Sequence, residues 1–118
     1  MLPDPVDASR LWDMLDAARC AVAFTKGRSF AEFVSDRMMR NAVERNLEII
    51  GEAARNVSAG FRESRPDIPW RSIVGLRNVI AHEYGEVRLE IIWSVIQDKL
   101  APLIGVLEAM DLDGRPQA

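Results

Sequence analysis

Residues 77–85 collect side chains suited to acid–base and phosphate chemistry. They include the only histidine, His82, and the only tyrosine, Tyr84, together with Arg77 and Asn78. An imidazole that titrates near neutrality can act as general base or acid, and a guanidinium can hold a phosphate and stabilise the charge that develops on it. This pair suits cleavage of RNA: His82 takes the proton of a ribose 2′-OH, the oxyanion attacks the adjacent phosphorus, and Arg77 neutralises the phosphate. DNA lacks the 2′-OH and is not cut by this route.

The spacing of these residues limits how they can meet. In an ideal helix Arg77 and Tyr84 share nearly the same line, whereas His82 is turned about 140° away from Arg77. Either the helix unwinds near Gly85, or Arg77 and His82 of two subunits meet across a two-fold axis. A structural interpretation also stays open, in which His82 ends a helix and Arg77 pairs with Glu83 or another acid. From spacing alone the structural interpretation is the commoner one.

Metal and disulfide chemistry are disfavoured by composition. Cys20 is the single cysteine and His82 the single histidine, so neither an internal disulfide nor a two-imidazole zinc site can form. No cofactor or metal is therefore expected. The N-terminus carries acids where a signal peptide needs a basic flank, and the apolar runs are too short for a membrane span, so a cytoplasmic location without membrane contact is expected.

Charge is unevenly distributed along a chain of net charge −3. Residues 37–77 hold eight arginines against five acids, whereas the segments on either side are acidic. Arginine is suited to bidentate phosphate contacts, although it also lies readily along helix surfaces. The basic middle of the chain is therefore the segment expected to contact a polyanion, if the chain binds one.

The hydrophobic pattern predicts one all-α domain over residues 1–118, with a body at about 7–110 and short flexible tails. The length of 118 residues fits one domain, and apolar positions recur at helical spacing with no alternation typical of strands. We expect an antiparallel bundle of four to five helices.

Four helical stretches are predicted within this bundle. The first follows N-caps at residues 7–9 and stops near Gly27. The second covers residues 30–57, with a break expected near 35–36, and a connector over 61–69 can include a short turn after Ala59. The third spans about 70–83 with Gly85 as its stop, and the fourth covers 89–107 with a bend at Pro102.

The run Arg77–Tyr84 fits the R-x4-H-x-Y motif of the HepT-like toxins, a branch of the HEPN superfamily of helical proteins. Its surroundings resemble the same family at residues 42–53, 68–70 and 87–93. The resemblance covers roughly residues 7–108.

This resemblance implies a homodimeric, metal-independent endoribonuclease that acts as a toxin, with Arg77 and His82 of both subunits lining a cleft at the interface. It also implies a partner, a minimal nucleotidyltransferase antitoxin that transfers AMP from ATP onto the tyrosine of the motif, here Tyr84. Asn78 would support the site by binding the phosphate or fixing the backbone. An alternative is a non-catalytic helical partner of a nucleotidyltransferase that binds nucleotide or RNA without cutting it.

Other polar and aromatic residues are given structural roles. Glu48 and Glu52 are expected to pair with nearby arginines on the same helix, with orientation of the active site as the less favoured alternative. Trp70 and Trp93 are expected to anchor the core or an interface. Cys20 is expected to be a small buried hydrophobe rather than a nucleophile.

Overall fold

A computed structural model describes residues 2–112 of the chain, and within this range the secondary structure is helical throughout. The predicted all-α fold class is confirmed, whereas the homodimer stays a prediction. The C-terminal tail is predicted to begin after about residue 110, and residues 113–118 of it lie outside the described residues. The elements are α1 (Pro5–Thr25), α2 (Phe30–Ser35), α3 (Arg37–Arg55), α4 (Ala59–Ser64), α5 (Trp70–Val74), α6 (Leu76–His82), α7 (Gly85–Ser94), a π-helical turn (Val95–Lys99) and α8 (Leu100–Glu108).

The first helix begins one turn earlier than predicted. The Asp4 carboxylate accepts a hydrogen bond from the backbone N–H of Asp7 at 2.7 Å, and Pro5 occupies the first helical turn, where its missing N–H costs nothing. The predicted start at residues 7–9 is therefore wrong, because the stronger cap lies upstream. The predicted stop is confirmed, since α1 ends at Thr25 and Gly27 follows with φ +74°.

A break divides the second predicted helix where polar caps favour it. Ser29 and Glu32 form a reciprocal capping box at the start of α2. The Asp36 side chain then accepts from the backbone N–H of Met39 at 2.9 Å and starts α3. The predicted break is confirmed, as is the short helical turn after Ala59, which forms α4.

The core lies between α1, α3 and α8. Each of these helices turns one apolar face inward, with spacings of three and four residues. The fully buried side chains on these faces include Leu11, Met14, Ala18, Val43, Leu47, Ile50, Leu100 and Leu107. The Asp7 carboxylate is also buried and accepts hydrogen bonds from Ser58, at 2.8 Å from the backbone N–H and 2.6 Å from the hydroxyl. It joins the start of α1 to the start of α4.

The region from 70 onward differs from the prediction in three places. The predicted helix over 70–83 is two helices separated at Gly75. Gly85 does not stop a helix but begins α7, with φ +66°, because the chain has already become extended at Glu83 and Tyr84. The irregularity in the last predicted helix is a π-helical turn over Val95–Lys99, one turn before Pro102.

None of the described helices is long and apolar enough to traverse a lipid bilayer.

Candidate active site

The motif lies at a junction between two helices. His82 is the last residue of α6, and Glu83 and Tyr84 are extended, with φ/ψ of −89°/148° and −131°/157°, before α7 begins at Gly85. Positive φ at Gly85 is the conformation in which a side chain would be strained. The unwinding anticipated as one of the two arrangements is present, and the pairing across a two-fold axis stays a prediction.

Arg77 is held by an acid from another helix. Its Nη1 donates to Oε2 of Glu52 on α3 at 2.7 Å, and both side chains are about half exposed. The structural interpretation allowed Arg77 to pair with Glu83 or another acid, and the structure has another acid, because α6 ends before Glu83 and Glu52 faces Arg77 from α3. Glu48 pairs with Arg45 of its own helix at 3.6 Å, as expected, whereas the expected pairing of Glu52 with an arginine of α3 is wrong.

A glycine on α3 allows this close approach. A Cβ on buried Gly51 would lie 3.2 Å from the carbonyl oxygen of Ile73 and 3.3 Å from Cγ of Arg77. Such contacts are tighter than ordinary van der Waals packing, so a larger residue would force α3 and the α5–α6 pair apart. The aliphatic part of Arg77 therefore lies against α3 at Gly51 while its guanidinium reaches Glu52.

A second ion pair holds the other side of the junction. Arg88 on α7 donates to Glu44 on α3, and this pair is more buried than the Arg77–Glu52 pair. Glu44 and Glu52 are eight residues apart, or about 12 Å along a helix axis. Two carboxylates of α3 thus hold α6 and α7 on either side of the extended residues 83–84.

The remaining motif side chains face solvent. His82 and Asn78 are exposed, and Tyr84 is 78% exposed. Within residues 2–112 none of these three side chains makes a hydrogen bond, and no hydrogen bond joins Arg77 to His82. One chain therefore presents an anchored guanidinium and a free imidazole at the two ends of α6 without bringing them into contact.

Other candidate reactive groups are excluded from this site. Burial, reinforced by the charge of Asp16, raises the pKa of the Cys20 thiol, so the thiolate that would act as nucleophile is disfavoured. Among the described residues no group of three or more His, Cys, Asp or Glu side chains could hold a metal ion. Trp93 packs against Phe30 and Phe33, with ring centroids 6.0 and 5.3 Å apart, as expected of a core anchor.

The sequence analysis did not find Glu44 and gave Glu52 a role in orienting the active site only as the less favoured alternative. Glu44 lies 44 residues before its partner Arg88, and Glu52 lies 25 residues before Arg77. The regular spacing of the acids along α3 favoured pairs within the helix instead. Which acid meets which arginine depends on how α3 packs against α6 and α7, and local spacing does not contain that information.

Comparison with known proteins identifies the family of the chain. The profile of the family described as ribonuclease HepT-like matches residues 14–110, which include the whole motif together with Glu44 and Glu52 of α3. No solved structure matches the chain.

Several curated relatives cover most of the chain. The chain is 41% identical over 88 residues to a protein of Methanocaldococcus jannaschii named as a candidate RNase. The aligned segment covers 75% of this chain and 81% of the relative. A second candidate RNase of that organism is 33% identical over 109 residues, covering 91% and 90%. A protein of Thermococcus cleftensis named "Probable ribonuclease HepT" is 33% identical over 100 residues, covering 85% and 91%. The chain, with its all-helical fold and its R-x4-H-x-Y junction, belongs to the HepT-like ribonuclease family of the HEPN superfamily.

Proposed function

We propose that the chain is the ribonuclease toxin of a toxin–antitoxin pair and cleaves RNA in a cleft between two copies. The observation that carries the proposal is the exposure of the motif: α6 has no buried residue, and His82 lies at its end with no hydrogen-bond partner among the described residues. A second copy placed across this surface would bring two Arg77 and two His82 to one cleft. That arrangement supplies both an acid and a base, which one imidazole cannot do at once.

The chemistry needs no group beyond these side chains. One His82 removes the proton from a ribose 2′-OH, and the oxygen attacks the adjacent phosphorus in line. Arg77 stabilises the negative charge on the phosphate oxygens in the transition state. The second His82, protonated, gives its proton to the departing 5′-oxygen, so the products are a 2′,3′-cyclic phosphate and a 5′-hydroxyl. Asn78, exposed one residue after Arg77, is a supporting donor to the phosphate.

Substitution of His82 tests the activity. We expect His82→Ala to lose cleavage of RNA by at least about a hundredfold, the range of general acid–base catalysis, with unfolding temperature unchanged because the side chain is exposed. Lys26→Ala, an exposed change at the far end of α1, is the matched control. Full cleavage by His82→Ala contradicts the proposal.

Mixing wild-type chains with doubly substituted chains tests the shared cleft. A heterodimer of wild type with Arg77→Ala/His82→Ala keeps one complete set of motif side chains but only one histidine in the cleft. Because the proposed reaction needs both imidazoles, we expect this heterodimer to cleave RNA far more slowly than half the rate of the wild-type dimer. Half of the wild-type rate, with heterodimer formation verified by native mass measurement, would place each site within a single chain.

The regulatory part of the proposal concerns Tyr84. Its phenol is 78% exposed on extended backbone, where an enzyme can reach it. We propose that a nucleotidyltransferase antitoxin directs the phenol oxygen onto the α-phosphorus of ATP, releasing pyrophosphate and leaving AMP on Tyr84. The added anionic nucleotide lies two residues from His82, where it competes with RNA for the phosphate site.

Intact mass after co-expression with the proposed nucleotidyltransferase antitoxin tests this modification. We expect one or more AMP units on the wild-type chain and none on Tyr84→Phe. An unmodified wild-type chain that is still inhibited by the partner would overturn the role of Tyr84.

A non-catalytic binding function is the second candidate, and the Glu52–Arg77 pair favours it. A guanidinium already neutralised at 2.7 Å is less available to a phosphate than a free one. On this alternative the purified dimer binds its nucleotidyltransferase yet cuts none of the RNAs supplied to it. Cleavage that disappears in His82→Ala decides against it.

A further inference from the structure

Half of the arginines in the basic middle of the chain have side chains without a partner. The side chains of four of the eight between residues 37 and 77 make neither an ion pair nor a hydrogen bond within the part of the chain that the structure describes. They are Arg37, Arg55, Arg62 and Arg71, whereas the other four bind Glu48, Asp67, Glu52 or a backbone carbonyl. Two of the unpartnered side chains, Arg62 and Arg71, line one concavity at the end of the bundle that carries α4 and α5.

An open groove of about 500 Å³ lies between α4 and α5 at this end. Its lining residues are Ala59, Arg62, Glu63, Trp70, Arg71 and Val74. We call it the α4–α5 groove. Two guanidiniums and an indole thus face one concavity, with a single carboxylate at its edge.

The two arginines and the tryptophan of the α4–α5 groove differ in burial and in hydrogen bonding. Nε of Arg62 is buried and has no hydrogen-bond partner, while Arg71 is exposed. The ring of Trp70 is fixed, because its Nε1 donates to the carbonyl oxygen of Arg65 at 3.0 Å and its ring meets Phe61 edge-on at 6.5 Å. Trp70 is half buried, so it anchors the core as expected and still forms an apolar wall of the groove.

The α4–α5 groove is joined to the motif through α5 and α6. Arg71 precedes Arg77 by six residues, across the break at Gly75. Six residues at about 100° each do not return to the same helix face, so Arg71 faces the groove while Arg77 faces Glu52 on α3. The groove therefore lies outside the site at Arg77, on a different face of the same segment.

We propose that the α4–α5 groove binds the backbone of the substrate RNA outside the proposed cleft, with Arg62 and Arg71 contacting phosphates and Trp70 contacting a sugar or base. This inference rests on the proposed function. RNA is favoured over a protein partner because arginine forks match phosphate oxygens and a fixed aromatic wall accommodates any base.

Salt-dependent binding of RNA tests the groove. On a His82→Ala background, which binds without cutting, anisotropy of a labelled single-stranded RNA of about 20 nucleotides is measured across salt concentrations. We expect Arg62→Gln/Arg71→Gln to weaken binding about tenfold or more at low salt and to reduce the slope of log affinity against log salt by about 1.4, since each phosphate contact contributes about 0.7 for single strands. Arg62→Lys/Arg71→Lys keeps the charges, so most of the slope returns.

The matched control removes the same charge elsewhere. Lys26→Gln/Arg37→Gln changes two exposed and unpartnered cations at the opposite end of α1 and α3, and we expect less than about a twofold loss. Thermal unfolding verifies that each variant is folded. If the double variant of the groove fails to fold, Arg71→Gln alone, on an exposed side chain, is expected to give half of the slope change.

The outcomes separate the groove from the proposed function. If the wild-type chain cleaves RNA but Arg62→Gln/Arg71→Gln binds RNA as tightly as the control Lys26→Gln/Arg37→Gln, only the groove inference fails. If the groove variants lose the nucleotidyltransferase partner and keep RNA, the groove is a protein site and the inference is overturned. If the wild-type chain neither binds nor cleaves RNA, the groove inference and the proposed function both fall.

Discussion

The α1–α3 pair and the helix α6 differ in how completely their side chains are buried. Along α1 and α3, apolar side chains such as Leu11, Leu47 and Ile50 are completely buried, and the helices pack along their length. Along α6, no residue is fully buried: half-buried Leu76 and Ile80 pack against the core, and Arg77 lies against Gly51 and pairs with Glu52 on α3. The fold depends on the first region and the proposed chemistry on the second, so most changes to the motif should leave the fold intact.

Truncation of a core leucine should give the largest loss of stability. Leu47→Ala removes a fully buried side chain from α3 and is expected to lower the free energy of unfolding by about 3 kcal/mol. Val79→Ala, at a half-buried position of α6, should cost about 1 kcal/mol. Urea unfolding at one protein concentration measures both. Equal losses of unfolding free energy at the two positions would show that α6 contributes as much to stability as α3.

Removal of the buried Asp7 carboxylate, which joins α1 to α4, should give the second largest loss of stability. Asp7→Ala leaves the backbone N–H and the hydroxyl of Ser58 without their acceptor and is expected to cost about 2 kcal/mol. Asp16→Ala, an exposed change on the same helix, should stay within about 0.5 kcal/mol of wild type. Thermal unfolding compares the two variants. A neutral Asp7→Ala would mean that apolar packing alone holds this region.

A pair of glycine substitutions should differ in sign. Gly85→Ala forces a side chain into positive φ at the start of α7 and is expected to destabilise the protein by about 1 kcal/mol, while disturbing the adjacent Tyr84 and lowering cleavage. Gly105→Ala, in open space within α8, should stabilise it by about 0.5 to 1 kcal/mol with cleavage unchanged. Stability and cleavage are measured on both. A stabilising Gly85→Ala would show that the junction relaxes freely.

The smallest effect on stability should come with a clear effect on activity. Glu52→Ala removes a half-exposed ion pair, worth less than about 1 kcal/mol, but frees the Arg77 guanidinium from its position. We expect kcat for RNA cleavage to fall about tenfold, with Glu52→Gln retaining part of it through its amide oxygen. Glu48→Ala, which breaks the weaker pair with Arg45, should change neither quantity. Faster cleavage by Glu52→Ala would identify Glu52 as a competitor of the phosphate instead of a support for Arg77.

Local signals in the sequence were sufficient for much of the fold. Asp36 marks a helix start because its side chain caps a backbone N–H three residues on, and this is visible in any short window. Gly85 was misassigned because a glycine with positive φ can follow one helix or begin the next, and only the extended Glu83 and Tyr84 decide between them. The partner of Arg77 required knowledge of how α3 packs on α6. The candidate site residues themselves stay predictions that the proposed variants test.

The π-helical turn keeps the last apolar stripe in phase. The buried residues Ile92, Ile96 and Leu100 recur every four positions, and at about 100° per residue each step overshoots a full turn by about 40°. In an uninterrupted α-helix Leu100 would have rotated about 80° away from Ile92. The wider turn over Val95–Lys99, with the N–H of Leu100 bonded to the carbonyl oxygen of Val95, absorbs this excess rotation. An otherwise costly irregularity thus lets α7, which carries Arg88, and α8, which packs against α1, bury their apolar side chains along one continuous line.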